Sequence, residues 1–167
     1  GDTHYFWDPE TGELRINGAG QGAPAANRVF ETIWDGGGTD VIDASAYRTG
    51  VSVDLAPGAG SVLSTGQLAF LNKKEGGDAI YASANVYLAE LNEDDERGMI
   101  ENAIGGSGDD RLSGNAGDNK LCGAGGTDAI LGLAGSDTLI GGSGNDWLVG
   151  SGGKDRLAGQ GGADQLS

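Results

Sequence analysis

A period of nine residues dominates the C-terminal part of the chain. From Gly105 to Ser167 the sequence divides without a gap into GGSGDDRLS, GNAGDNKLC, GAGGTDAIL, GLAGSDTLI, GGSGNDWLV, GSGGKDRLA and GQGGADQLS. Position one is Gly in all seven, and position four is Gly108, Gly117, Gly126, Gly135, Gly144, Gly153 and Gly162. Position six is Asp110, Asn119, Asp128, Asp137, Asp146, Asp155 and Asp164. Position eight is Leu112, Leu121, Ile130, Leu139, Leu148, Leu157 and Leu166. Such a period restricts the fold to small identical units stacked in one dimension.

Each unit has a head and a tail. The tail, Asp-x-Leu-x, has the length of a short strand, whose side chains alternate in direction and turn the Leu inward. The six-residue head is rich in glycine, which enters left-handed conformations freely and lets carbonyls approach one another. Two turns and two strands make one coil of 18 residues, and successive coils stack with strands paired in parallel. The expected fold class is therefore all-β, a parallel β-roll, with residues 105–167 as the roll and 1–104 as a β-rich N-terminal cap.

The roll has a thin core. One inward Leu or Ile per nine residues buries too little apolar surface to offset the entropy of ordering so much glycine-rich backbone. Stacking the sixth-position carboxylates adds repulsion. A hard divalent cation between stacked turns relieves both problems, and carboxylate and carbonyl oxygens are the ligands calcium prefers. Zinc is disfavoured, because the chain has one His, His4, and one Cys, Cys122. Cys122 falls at an outward position and cannot form an internal disulfide, and Trp147 is outward too.

The formal charge of −15 argues against nucleic acid as a partner. There is no apolar run long enough for a membrane span. No H-E-x-x-H, G-x-G-x-x-G or P-loop occurs, and no nucleophile–base pair stands out, so the chain by itself is read as non-catalytic. "NEDDERG" (Asn92–Gly98) has Arg97 where an EF-hand loop needs glycine, and is expected to be a solvated loop. Without an initiating Met, Gly1 is expected to follow a cut in a larger protein. No signal peptide is recognisable at the N-terminus.

The repeats resemble the RTX (hemolysin-type) repeat GGxGxDxUx, which binds calcium in a parallel β-roll. "TIWDGGGTDVIDASAY" (Thr32–Tyr47), "MIENAIGGSGDD" (Met99–Asp110) and the opening "GDT" (Gly1–Thr3) resemble the C-terminal domain of serralysin-type secreted zinc metalloproteases. That resemblance implies an ion between turns one coil apart. The earlier turn gives the carbonyls of its second and fourth residues and its sixth side chain; the later turn gives the carbonyls of its first and third residues and its sixth side chain.

Carried onto this chain, the resemblance implies five sites in the repeats. The first uses Gly106, Gly108, Asp110, Gly123, Gly125 and Asp128. The second uses Asn115, Gly117, Asn119, Gly132, Ala134 and Asp137, and Asn119 brings no charge to it. The third uses Ala124, Gly126, Asp128, Gly141, Ser143 and Asp146. The fourth uses Leu133, Gly135, Asp137, Gly150, Gly152 and Asp155. The fifth uses Gly142, Gly144, Asp146, Gly159, Gly161 and Asp164, so that Asp128, Asp137 and Asp146 each bridge two ions. Two further sites are implied in the cap. One joins Gly1, Thr3, Asp35, Gly37 and Asp40, where the family's preceding arginine carbonyl is missing. The other joins Gly38, Asp40, Met99 and Glu101. Seven divalent ions would nearly neutralise the formal charge of −15.

Upstream, "RVFETIWD" and "VSVDL" read as strands and "DGGG" as a turn, while "GQLAFL" and "ANVYLAEL" fit short helices or strands equally. Phe30, Trp34, Tyr47, Phe70, Tyr81 and Tyr87 are expected to supply the large side chains that the repeats lack. This half is expected to cap the N-terminal end of the roll, and with no equivalent cap after Ser167 the C-terminal edge is expected to be truncated. The resemblance implies a calcium-binding domain following an N-terminal protease domain. The parent protein would be carried out of a Gram-negative bacterium by the type I secretion apparatus, with the roll folding in extracellular calcium. A carbohydrate-binding or surface-adhesion RTX module attached to another secreted protein is the alternative.

Overall fold

The computed structural model describes residues 1–74, 76–91 and 98–167. The acidic stretch expected as a solvated loop falls on 92–97, outside the described residues.

Among the described residues the regular elements are strands, apart from two short 3-10 turns. The first ten are β1 (His4–Trp7), β2 (Leu14–Ile16), β3 (Ala19–Gly20), β4 (Glu31–Ile33), β5 (Val41–Asp43), β6 (Ser52–Asp54), β7 (Gly60–Ser61), β8 (Phe70–Lys73), β9 (Ala79–Tyr81) and β10 (Val86–Leu88). The rest are β11 (Asn102–Ile104), β12 (Arg111–Ser113), β13 (Lys120–Gly125), β14 (Ala129–Ala134), β15 (Thr138–Ser143), β16 (Trp147–Gly152), β17 (Arg156–Gly161) and β18 (Gln165–Leu166). "ANVYLAEL" is a strand, β10. "GQLAFL" divides between a 3-10 turn at Thr65–Gln67 and β8.

From β11 onward the strands alternate between two sheets. One runs β17-β15-β13-β11 and continues into β5-β1-β2-β3; the other runs β18-β16-β14-β12 and continues into β6. Pairing is parallel and joins residues 18 apart, as in Leu121↔Leu139 and Ile130↔Leu148. One coil is therefore two repeats, as the nine-residue period requires, and the fold is an all-β parallel roll.

The N-terminal segment supplies the coil on which the first repeats stack. Val41 pairs with Asn102 and Ser52 with Arg111, both in parallel. The two strands of this upstream coil begin at Val41 and Ser52, a wider spacing than the nine residues from Asn102 to Arg111, so the intervening turn is longer. β1 adds one more parallel strand, and antiparallel β2 and β3 end the sheet. A three-stranded sheet β4-β10-β7 and the β8–β9 hairpin complete this half.

The eighth-position side chains Leu112, Leu121, Ile130, Leu139 and Leu148 are buried, in line with Ile42, Val53 and Ala103 from upstream. Leu157 is partly buried, and Leu166 is 48% exposed. Of the six aromatics expected to fill the cap, only Tyr47 is fully buried. Phe30, Trp34, Phe70 and Tyr81 are exposed, and Tyr87 is intermediate. Strand alternation explains Trp34: Ile33 faces the core, so its neighbour faces out. Trp7 and Tyr5, from β1, fill the core instead.

Candidate metal centre

Fourth-position glycines set the turn. Gly126, Gly135, Gly144, Gly153 and Gly162 have φ between +108° and +133°. A methyl group on Gly144 would also run into the carbonyl oxygen of Gly126, one coil earlier. Two independent constraints therefore exclude any side chain here. The second position is left-handed from the third repeat on: Ala124 (φ 78°), Leu133 (79°), Gly142 (116°), Ser151 (72°) and Gln160 (72°). Four of these five residues carry a side chain, a local strain of about 1–2 kcal/mol each. In the first two repeats Gly106 and Asn115 are not left-handed.

The sixth-position side chains join the coils. Oδ1 of Asp128, Asp146 and Asp164 accepts the N–H of Asp110, Asp128 and Asp146 at 2.8, 2.9 and 3.0 Å. Oδ1 of Asp137 and Asp155 accepts the N–H of Asn119 and Asp137 at 2.8 and 3.0 Å. The other oxygen points toward the next coil. A methyl on Gly123 would collide with Asp128 Oδ2 and lie 2.8 Å from the Gly141 oxygen. The same cradle forms from Asp137 Oδ2 and Gly150 O at Gly132, from Asp146 Oδ2 and Gly159 O at Gly141, and in the first two turns from Asp110 Oδ2 and Gly123 O at Gly105 and Asn119 Oδ1 and Gly132 O at Gly114. Oδ2 of Asp128, Asp137 and Asp146 is buried and has no hydrogen-bond partner.

Leaving a carboxylate oxygen buried and unpartnered is costly. Burial pushes the Asp128 carboxyl up to about 7, with the charges of Asp110 and Asp146 adding to it. Burial likewise raises Asp137 and Asp110. A cation facing Oδ2 supplies the missing partner and reverses these shifts. Among the described residues no three His, Cys, Asp or Glu side chains gather at one point. An ion between turns must therefore draw most of its ligands from backbone carbonyls, a donor set suited to calcium and unsuited to zinc.

The first two turns differ in the hydrogen bonds that their sixth side chains make. Asp110 Oδ1 accepts the N–H of Val51 at 2.8 Å and its Oδ2 that of Gly106 at 2.6 Å. Asn119 Oδ1 accepts the N–H of Asn115 at 2.8 Å, and its amide donates to the carbonyl of Glu101 at 3.0 Å. The upstream coil thus presents a donor to Asp110 and an acceptor to Asn119, which is the physical reason for an amide at position 119.

The fifth position also ties the coils, which the repeat pattern did not reveal. Asp109 Oδ1 accepts the N–H of Thr127 at 2.7 Å, Asp118 that of Ser136 at 2.6 Å and Asn145 that of Ala163 at 2.8 Å. Asp109, Asp118 and Asn145, at three of the seven fifth positions, were the available signal.

In the cap the candidate residues converge around Asp40. Thr3 N–H donates to Asp40 Oδ1 at 2.6 Å, the Gly1 nitrogen donates to Gly37 O at 2.7 Å, and Gly37 N–H donates to Asp35 Oδ1 at 2.8 Å. Gly38 lies against the backbone of Gly1 and Asp2. Glu101 Oε2 accepts the N–H of Asp40 at 2.7 Å, while the Met99 side chain reaches toward Gly117. Asp40 is fully buried and its Oδ2 has no partner. Burial and the nearby charge of Asp35 raise the Asp40 carboxyl. Burial opposes ionisation of Asp35 too, but hydrogen bonds from Tyr5 and Gly37 outweigh it and hold that carboxyl low.

Among the described residues no helix is long and apolar enough to cross a membrane. No curated protein matches the chain. The family model of the RTX calcium-binding nonapeptide repeat (4 copies) matches residues 98–130 and 131–166. A calcium-type donor set, a nine-residue period and a parallel coil of two repeats all meet in the segment that this calcium-binding repeat model matches.

Proposed function

We propose that this chain is the calcium-dependent folding module of a larger secreted protein. Calcium sits between stacked turns of the roll, at up to five positions drawn from the second, fourth and sixth residues of one turn and the first, third and sixth of the turn one coil on. The cap, around Asp35, Asp40 and Glu101, holds up to two more. The observation that carries this reading is the set of three buried, unpartnered carboxylate oxygens on Asp128, Asp137 and Asp146, each facing a carbonyl of the next coil.

At low calcium the turns repel and the roll stays open. At the millimolar calcium outside a cell it closes and stiffens the protein that carries it. This suits passage as an unfolded chain through a type I exporter of a Gram-negative bacterium, followed by folding outside. The cap motifs favour a serralysin-like zinc metalloprotease as the parent, with the catalytic domain ahead of Gly1 and no catalysis in this chain. Far-UV circular dichroism of the chain in chelator and then in excess calcium tests the switch. The β signal is expected to rise markedly on calcium addition; a spectrum already complete in chelator would overturn the reading.

A further inference from the structure

The sixth-position oxygens that face the next coil fall into two classes. In repeats three, four and five they are Oδ2 of Asp128, Asp137 and Asp146, all buried and unpartnered. In repeats one and two the corresponding atoms, Asp110 Oδ2 and Asn119 Oδ1, already accept the N–H of the second residue of their own turn, Gly106 and Asn115. The backbone conformation explains the division. Ala124, Leu133 and Gly142 are left-handed, and none of their N–H groups satisfies the aspartate of its own turn. Gly106 and Asn115 are not left-handed, and their N–H groups close on the side chain. The first two turns are also engaged from the upstream side, by Val51 N–H and by Glu101 C=O.

We infer that the array has three cation positions rather than five: between repeats three and five, four and six, and five and seven. The two positions nearest the cap are closed by hydrogen bonds from the protein itself. This rests on the reading that the repeats hold calcium, and it narrows where. The cap and the first two repeats then form a nucleus that needs no ion between its turns, and calcium-dependent coils grow from it. The left-handed strain at Ala124 and Leu133 marks where ion-dependent stacking begins.

Two measurements on the whole chain test this. Native mass spectrometry in calcium counts bound ions for single variants. Asp128→Asn and Asp137→Asn are each expected to lose one ion, and Asp146→Asn two, because Asp146 serves both the position between repeats three and five and the one between five and seven. Asp110→Asn is expected to retain the full count while speeding exchange of the Val51 amide; loss of an ion from that variant would overturn the inference. Hydrogen exchange of the unaltered chain in chelator provides the second arm, independent of how variants fold. Asn102–Ile104 and Arg111–Ser113 are expected to exchange slowly, and Thr138–Ser143 and Arg156–Gly161 fast. If all these strands lose protection together in chelator, the inference fails while the calcium switch stands. If none gains protection or binds an ion in calcium, both fail.

Discussion

Gly144→Ala separates the geometry of the turn from its chemistry, because it changes no charge and no candidate side-chain ligand. Gly144 has φ +131°, a backbone state that L residues adopt at a cost of about 1–3 kcal/mol. The added methyl would also overlap the Gly126 carbonyl oxygen, so that oxygen or the whole turn must move. Together these predict a loss of roughly 2–4 kcal/mol. For a chain of this size, that lowers the midpoint of thermal unfolding by roughly 5–15 °C. The comparison is Leu133→Gly. Leu133 is left-handed at φ 79° and 37% exposed, so glycine removes strain and little packing. The net change there is expected to stay within about 1 kcal/mol. Both are read by calorimetry in saturating calcium. If Gly144→Ala melts within about a degree of the parent, or Leu133→Gly is as damaging as Gly144→Ala, the account of the turn is refuted.

Other outcomes follow from the same geometry. In chelator, acid should partly replace calcium: the Asp128 carboxyl sits near 7 when folded and near 4 when unfolded. The folded form binds the extra proton, so this contribution is fully present below about pH 4 and is lost as pH rises through 7. It is on the order of 4 kcal/mol, read as β signal regained between pH 8 and pH 5. In calcium the dependence reverses, since the ion needs the ionised carboxylate; affinity measured by titration calorimetry should fall as pH drops. Asn119→Asp restores the repeat pattern yet should destabilise by about 1–3 kcal/mol in urea unfolding. It removes the donor to the Glu101 carbonyl and sets two acceptors face to face. Leu139→Ala, in the buried column, should cost about 2–5 kcal/mol. Leu166→Ala, at the exposed end, should cost far less.

The roll was legible in the sequence because its period is its structure. Every ninth residue repeats the same turn, so position eight had to face inward and the parallel register had to be 18. What escaped was whatever depends on a neighbour distant in sequence. Asn119 looks like a weakened ligand in the repeat pattern, yet it is the side chain that matches an acceptor on Glu101. The strained second position was hidden because Ala124 and Leu133 look like ordinary variable residues. In the cap no period exists, and size misled. Trp34 and Phe70 lie outside while Trp7 fills the core, since alternation along short strands decides which side chain turns in. The carboxylates of the cap were legible as a group, but the hydrogen bonds that already engage most of their oxygens were not.

A crystal structure grown in saturating calcium tests the central claim most directly. The account predicts an ion within about 2.3–2.6 Å of Asp128 Oδ2 and the Gly141 oxygen. The equivalent positions at Asp137 with Gly150, and at Asp146 with Gly159, should be occupied in the same way. Density at those three positions that refines only as water, with the carboxylates still lacking a cation, would contradict it.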